Sequence, residues 1–144
     1  MFTTYDSLWR VTSVDYEGTE NDIFYQYYGS SSSIIKILIS NPIKETYSYD
    51  TQGNLLSEEY SENPEDNKYY FYYPNDYLQD LFNSNSFIHY TYYPSGLLKS
   101  EEVTGYSTYK VTEYRYYPNN LTSEIITLDK KQRFFYDAKD RLVR

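Results

Sequence analysis

One histidine, no cysteine and 21 carboxylates are what this chain offers for catalysis. His89 stands just before Tyr90, at a position that alternation sets on the face opposite the tyrosines. A lone imidazole without thiolates or a second histidine makes a poor zinc site. His89 is expected to be a solvent-facing strand residue rather than a general base. The carboxylates come in short runs: Glu58-Glu59, Glu62, Glu65-Asp66 and Glu101-Glu102. Glycoside hydrolysis needs two carboxyls at a fixed close spacing on one cleft, and nothing in these runs selects a pair. Solubilising surface charge is the simpler reading. A hydrolase using surface carboxylates and an opportunistic calcium site are its competitors. The sequence assigns no catalytic residue, no metal ligand set and no cofactor.

Tyrosine is the residue that recurs, 22 times. Tyr25 and Tyr27, Tyr47 and Tyr49, Tyr70 and Tyr72, Tyr90 and Tyr92, Tyr114 and Tyr116 are pairs spaced two apart. Residues so spaced share one face of a strand, so these ten should form rows. Flat rings with hydroxyls suit sugars and peptides, which makes the ten the candidate ligand-binding residues. The same rows would serve as the packing surface of a thin sheet. Tyr28, Tyr73, Tyr93 and Tyr117 follow their pairs, begin turns, and are expected to be more exposed, lining a rim.

The elements that position these rings are repeats. Anchors at Tyr5, Tyr27, Tyr49, Tyr72, Tyr92, Tyr116 and Tyr136 are separated by 22, 22, 23, 20, 24 and 20 residues. After each anchor comes only Asp or Tyr: Asp6, Tyr28, Asp50, Tyr73, Tyr93, Tyr117 and Asp137. Asp suits the first position of a type I turn. Pro74, Pro94 and Pro118 suit the second, where fixed φ helps and no N–H is needed. Gly53, Asp76, Gly96, Asn120 and Asp140 hold the fourth, where a three-residue hairpin loop needs a left-handed residue. Trp9 and Ser31 break that rule, so the first two hairpins should have shifted or longer turns. Val11, Leu55, Leu78, Leu98 and Leu142 then return to the apolar face. Looser turns are expected at Gly18 to Asp22, Asn41-Pro42, Asn63 to Asn67, Asn83 to Ser86, Gly105 to Thr108 and Asp129 to Lys131.

The expectation is therefore an all-β chain, one array over residues 1–144 with a period of about 22 residues. It is an antiparallel meander of about seven β-hairpin repeats, about 14 short strands, forming a strongly curved, rolled sheet or a porin-like barrel. Tyrosine supplies apolar surface while keeping its hydroxyl wet, so a thick core is not expected. Ile34 to Ile39, IIKILI, should be a strand buried on both faces. It is too short to span a bilayer as a helix. No basic region followed by an apolar run opens the chain. The net charge of −8 without a basic stripe argues against nucleic acid and anionic membranes as partners. Asn120-Leu121-Thr122 fits a glycosylation triplet but lies in a turn.

The phrase Y-x-Y-D-x-x-G-x-L resembles the tyrosine–aspartate (YD) repeat of the Rhs and teneurin families. YSYDTQGNLLSE from Tyr47 to Glu58 carries it best, followed by FFYDAKDRLVR from Phe134 to Arg144 and by TYDSLWRVTS near the start. Four repeats put tyrosine in place of the aspartate. YYPSGLLKSE, Tyr92 to Glu101, is also similar to MORN-type repeats, a weaker match because those carry more glycine and a downstream tryptophan. The YD resemblance implies a bacterial, secreted or cell-surface setting and a non-catalytic role as a toxin-associated shell or binding scaffold. A carbohydrate- or peptide-binding surface protein using the tyrosine rows is the alternative. No capping unit with a polar outer face is apparent. Both end strands should expose edges that pair with further repeats of a longer chain or with another copy.

Overall fold

Each unit starts as an alternating strand, because tyrosine and the β-branched residues fit a pleated surface. The strand stops where Asp or Tyr opens a turn. The computed structural model describes residues 1–18, 22–31, 33–39 and 44–143. The expected turn at Asn41-Pro42, the middle of the one from Gly18 to Asp22, Ser32 and Arg144 lie outside those residues.

Six hairpins follow one another. They are β1 (Phe2–Tyr5) with β2 (Val11–Asp15), β3 (Ile23–Tyr27) with β4 (Ile34–Ile39), and β5 (Glu45–Tyr49) with β6 (Leu55–Tyr60). Then come β7 (Lys68–Tyr72) with β8 (Leu78–Asn83), β9 (Ser86–Tyr92) with β10 (Leu98–Gly105), and β11 (Tyr109–Tyr116) with β12 (Thr122–Ile126). The seventh unit has a three-residue strand, β13 (Lys131–Arg133), and a single bridge between Tyr136 and Leu142. Among the described residues the count is thus thirteen strands rather than about fourteen. All are antiparallel neighbours in chain order, in one sheet. Among the described residues β1 and β13 do not pair, so the sheet is open and the barrel among the expected forms is not what is seen. The one helical element among the described residues is a 3-10 turn at Pro64–Asp66, inside the expected Asn63 to Asn67 turn.

The tight turns share one hydrogen-bond scheme. Asp6, Asp50, Tyr73, Tyr93, Tyr117 and Asp137 each donate N–H to the carbonyl four residues on and accept the N–H three residues on. The fourth positions are left-handed: Gly53 at φ 95°, Asp76 at 62°, Gly96 at 85°, Asn120 at 66° and Asp140 at 57°. Trp9 corrects the expectation of a shifted first turn. It takes φ 61° in the standard scheme, its ring 85% exposed. The second turn is longer, as Ser31 suggested. Tyr28 N–H reaches the Ser33 carbonyl, and Gly29 is the left-handed residue.

Every complete hairpin carries a β-bulge at one place. Each anchor pairs with the residue after the turn: Tyr5 with Val11, Tyr27 with Ile34, Tyr49 with Leu55, Tyr72 with Leu78, Tyr92 with Leu98, Tyr116 with Thr122. The register then skips one residue, leaving Thr12, Ile35, Leu56, Gln79, Lys99 and Ser123 as the extra positions. A bulge bends its strand and increases local right-handed twist, so the same bend recurs in every complete hairpin.

The sheet is thin. Leu38 is the one buried hydrophobic residue among those described. Its neighbours in β4 are half-buried, so IIKILI is not covered on both faces. The accessible surface is 10058 Å², against about 7,800 Å² for a compact protein of this mass. Among the described residues no second layer covers either face.

Candidate functional site

The ten candidate tyrosines are all half-buried. They lie on one face, mixed with Ile23, Ile37, Leu81 and Ile88 through the observed registers. Six of the ten hydroxyls have structural partners, Tyr47 on Glu45 and Tyr70 on Glu58 among them. Tyr27 donates to the Val11 carbonyl at 2.6 Å, Tyr72 to Leu55 at 2.8 Å, Tyr92 to Leu78 at 2.9 Å and Tyr116 to Leu98 at 2.9 Å. Each bond joins one hairpin to the preceding one. The acceptor precedes the bulged residue, where the ladder between successive hairpins has already ended; β6 and β7, for example, pair only at Ser57–Tyr69 and Glu58–Lys68. The phenol thus bridges hairpins at the turn end. Burial raises the pKa of Tyr72, Tyr90, Tyr92, Tyr114 and Tyr116.

Three carboxylates sit within this face: Glu45, which accepts the Tyr47 hydroxyl at 2.9 Å, Glu58 and Glu101. Glu58 pairs across the strands with Tyr47 and accepts hydrogen bonds from Tyr70 and Tyr60 and from Lys68 at 3.1 Å. Burial pushes its carboxyl up, but bonds from Tyr70, Lys68 and Tyr60 outweigh that and hold it below the usual range. Glu101 lies opposite Tyr90. The acidic runs therefore split between faces, and the reading of all of them as solvated charge is corrected for Glu58. Strand parity carried the signal: Glu58 is in register with an aromatic column.

The residue after the anchor does one of two things. As aspartate it caps its own turn. Asp50 accepts N–H bonds from Gln52 at 2.9 Å and Asn54 at 2.8 Å, and its second oxygen accepts the Asn54 amide at 2.9 Å. Asp6 and Asp137 do the same, with Arg10 and Arg141 in the place of Asn54. Those arginines hold the two carboxyls below their ordinary pKa. As tyrosine it reaches the next hairpin. Tyr73 donates to the Tyr90 carbonyl at 3.1 Å, Tyr93 to Tyr114 at 3.0 Å and Tyr117 to Phe134 at 3.0 Å. Each ring also meets the next anchor edge-on, at 6.3, 6.1 and 6.2 Å between centroids for Tyr73–Tyr92, Tyr93–Tyr116 and Tyr117–Tyr136. These three are therefore inter-hairpin locks and not a free rim; Tyr28 alone of the four is strongly exposed. A coupling within the chain could have revealed this. Four residues after aspartate stand Arg10, Asn54 and Arg141; four after the locking tyrosines stand Tyr77, Leu97 and Leu121.

The locks leave three clefts along the tight-turn edge. The first, ≈ 560 Å³, lies between Tyr73-Pro74 and Tyr93-Pro94, with Tyr77 and Tyr92 inside it. The second, ≈ 490 Å³, lies between Tyr93-Pro94 and Tyr117-Pro118, with Leu97, Arg115 and Tyr116. The third, ≈ 380 Å³, runs from Tyr117-Pro118 to Asp137, with Leu121, Tyr136 and Asp140.

On the opposite face His89 is a strand residue whose side chain keeps 31% of its surface exposed. Its Nδ1 lies 2.6 Å from Asp80 Oδ1, and its ring stacks on Phe87, which packs on Phe82. Among the described residues no group of three or more His, Asp or Glu side chains is arranged to hold a metal. Nor does any buried side-chain N or O atom there lack a hydrogen-bond partner. No described helix is long and apolar enough to cross a membrane. No protein-family model matches the chain, and no curated protein matches it.

Proposed function

We propose that this chain is a non-catalytic repeat scaffold of the YD (Rhs/teneurin) kind, a section of a structural shell or a binding sheet. The observation that supports this best is where the recurring polar groups point. Aspartates cap their own turns, tyrosines tie each hairpin to its neighbours, and little is left converging on a reacting atom. Even the two carboxylates on the third cleft are engaged: Asp137 by Arg141 and Lys139, and Asp140 by the Asn119 amide at 3.0 Å. An enzyme would need a nucleophile, acid or base held toward an open cleft.

The bulge repeated in each hairpin supports a sheet that rolls. Closure, in this reading, comes from further repeats or a second copy adding to the outer edges of β1 and β13, which are available for strand pairing. A secreted or cell-surface setting follows from the kinship alone.

A repeat scaffold tolerates loss of a whole unit, because each unit contacts only its neighbours. Excising residues 93–116 removes one phase and joins Tyr92 to Tyr117-Pro118. The shortened chain should fold cooperatively with the same far-UV spectrum, whereas excising half that length should abolish folding. Turnover of an ester, glycoside or phosphoester that is lost in Asp80→Asn would overturn the non-catalytic reading.

A further inference from the structure

We propose that the three clefts of the tight-turn edge form one binding track for a basic, proline-rich peptide in the polyproline II conformation. This goes beyond the scaffold reading and does not rest on the YD kinship.

The clefts are copies of one another. Equivalent positions recur: Tyr73, Tyr93 and Tyr117 as the near wall, then Pro74, Pro94 and Pro118 beside them. Tyr92, Tyr116 and Tyr136 stand at the back. Neighbouring clefts share a wall, Tyr93-Pro94 between the first two and Tyr117-Pro118 between the last two. The track is therefore continuous and periodic. Rings are held by the lock hydrogen bonds, and proline fixes the turn backbone, so the walls are preorganised.

The period selects the ligand. One unit is two strands, about 9.5 Å along the sheet. Three residues of polyproline II advance about 9.3 Å and return to the same side of the helix. Every third residue of such a peptide thus meets an equivalent cleft, and about seven residues span all three. Aromatic-lined grooves are how proline-rich segments are held. Their backbone carbonyls have no internal partner, and Asn75, Ser95 and Asn119 repeat one lining position with polar side chains that include donors.

Charge sets the sign. The protein carries −8. Of the two carboxylates lining the third cleft, Asp137 is paired with Arg141, whereas Asp140 faces the neutral Asn119 amide. The middle cleft has a cation, Arg115, opposite Glu124, which Lys131 and Arg133 also face. The net charge of the chain and Asp140 at the third cleft favour a basic residue between the prolines.

The test is fluorescence anisotropy of the full chain with a labelled peptide of four Pro-Pro-Arg triplets. A second peptide of the same composition has the arginines moved out of three-residue phase. The phased peptide should bind roughly tenfold tighter, and affinity should rise with each added triplet from one to three. Pro94→Ser with Pro118→Ser should remove that preference while far-UV spectra stay the same; should this variant not fold, the comparison of the two peptides on the unaltered chain decides. Equal binding of both peptides, meaning charge alone, overturns the proposal. So does no binding at about 1 mM peptide, or displacement of the label by a neutral β-linked hexasaccharide at lower concentration than by unlabelled peptide.

Discussion

Trp9 shows how strongly the turn dominates the individual residue. It occupies a left-handed position that favours Gly, Asn or Asp, at φ 61°, with its indole 85% exposed. For an L-residue with a bulky side chain the left-handed region costs roughly 1–2 kcal/mol. Trp9→Gly should therefore stabilise the protein, by about 1 kcal/mol after allowing for the added flexibility of glycine in the unfolded chain. A higher denaturant midpoint at unchanged m-value is the expected result. A lower midpoint would mean that the indole packs on something this fold does not show. The first turn also explains why such a residue is tolerated. Asp6 caps it through Leu8 and Arg10 N–H, and Arg10 extends to the Gly29 and Ser31 carbonyls and lies over the Tyr27 ring at 4.5 Å. Two contacts within the turn and three that reach the next repeat hold it regardless of what its fourth residue prefers.

At the scale of the hairpin, the turn and the lock differ in how legible they were. The anchor phase, the turn positions and five left-handed residues could be read from Tyr47–Leu56 and its copies, because turn chemistry is local. The bulges could not. A one-residue skip between Tyr49–Leu55 and Ser48–Ser57 leaves the pattern of apolar residues unchanged. The outward swing of Tyr73, Tyr93 and Tyr117 was also missed, because their acceptors, the carbonyls of Tyr90, Tyr114 and Phe134, lie a whole unit away. Those acceptors make the lock testable. Tyr93→Phe and Tyr116→Phe each delete one hydroxyl of the joint between the fifth and sixth hairpins while sparing the rings. Each should cost roughly 1 kcal/mol, and Tyr106→Phe, at a fully exposed ring, should be neutral. Unchanged stability in the double variant would remove the lock from the account. The same rings set the response to base. Folded phenols at Tyr72, Tyr90, Tyr92, Tyr114 and Tyr116 have raised pKa values through burial. Their stabilisation is complete below the unfolded value of about 10 and is lost as pH rises through the folded values. Tyrosinate absorbance should show a late class of tyrosines that ionises together with loss of the strand signal. Titration of every tyrosine as one early class would contradict their burial.

The whole molecule is a strip whose stability is divided among joints. Thirteen strands lie side by side with one buried hydrophobic residue among those described, so no central core exists to fail or to be redesigned. Aromatic rings and inter-hairpin hydrogen bonds take its place. The composition announced this, since 22 tyrosines provide wetted apolar surface and the aliphatic residues are too few to fill a sandwich. Whether the strip closes was not legible. Closure depends on summed twist and on what meets the edges of β1 and β13, and neither is written in the local repeat. Openness is also what leaves the turn edge and both faces accessible for the roles proposed above. The most direct test is small-angle X-ray scattering on the monomeric fraction. A compact protein of this length has a radius of gyration of about 14.5 Å. Thirteen strands about 20 Å long at about 4.8 Å spacing, laid flat, give roughly 19 Å. An open, curved strip should give a value between about 15 and 19 Å, lowered from the flat limit by the repeated bulges. A value at or below about 14 Å would mean a closed barrel or a packed globule, and would contradict the open, single-layer sheet on which every inference here stands.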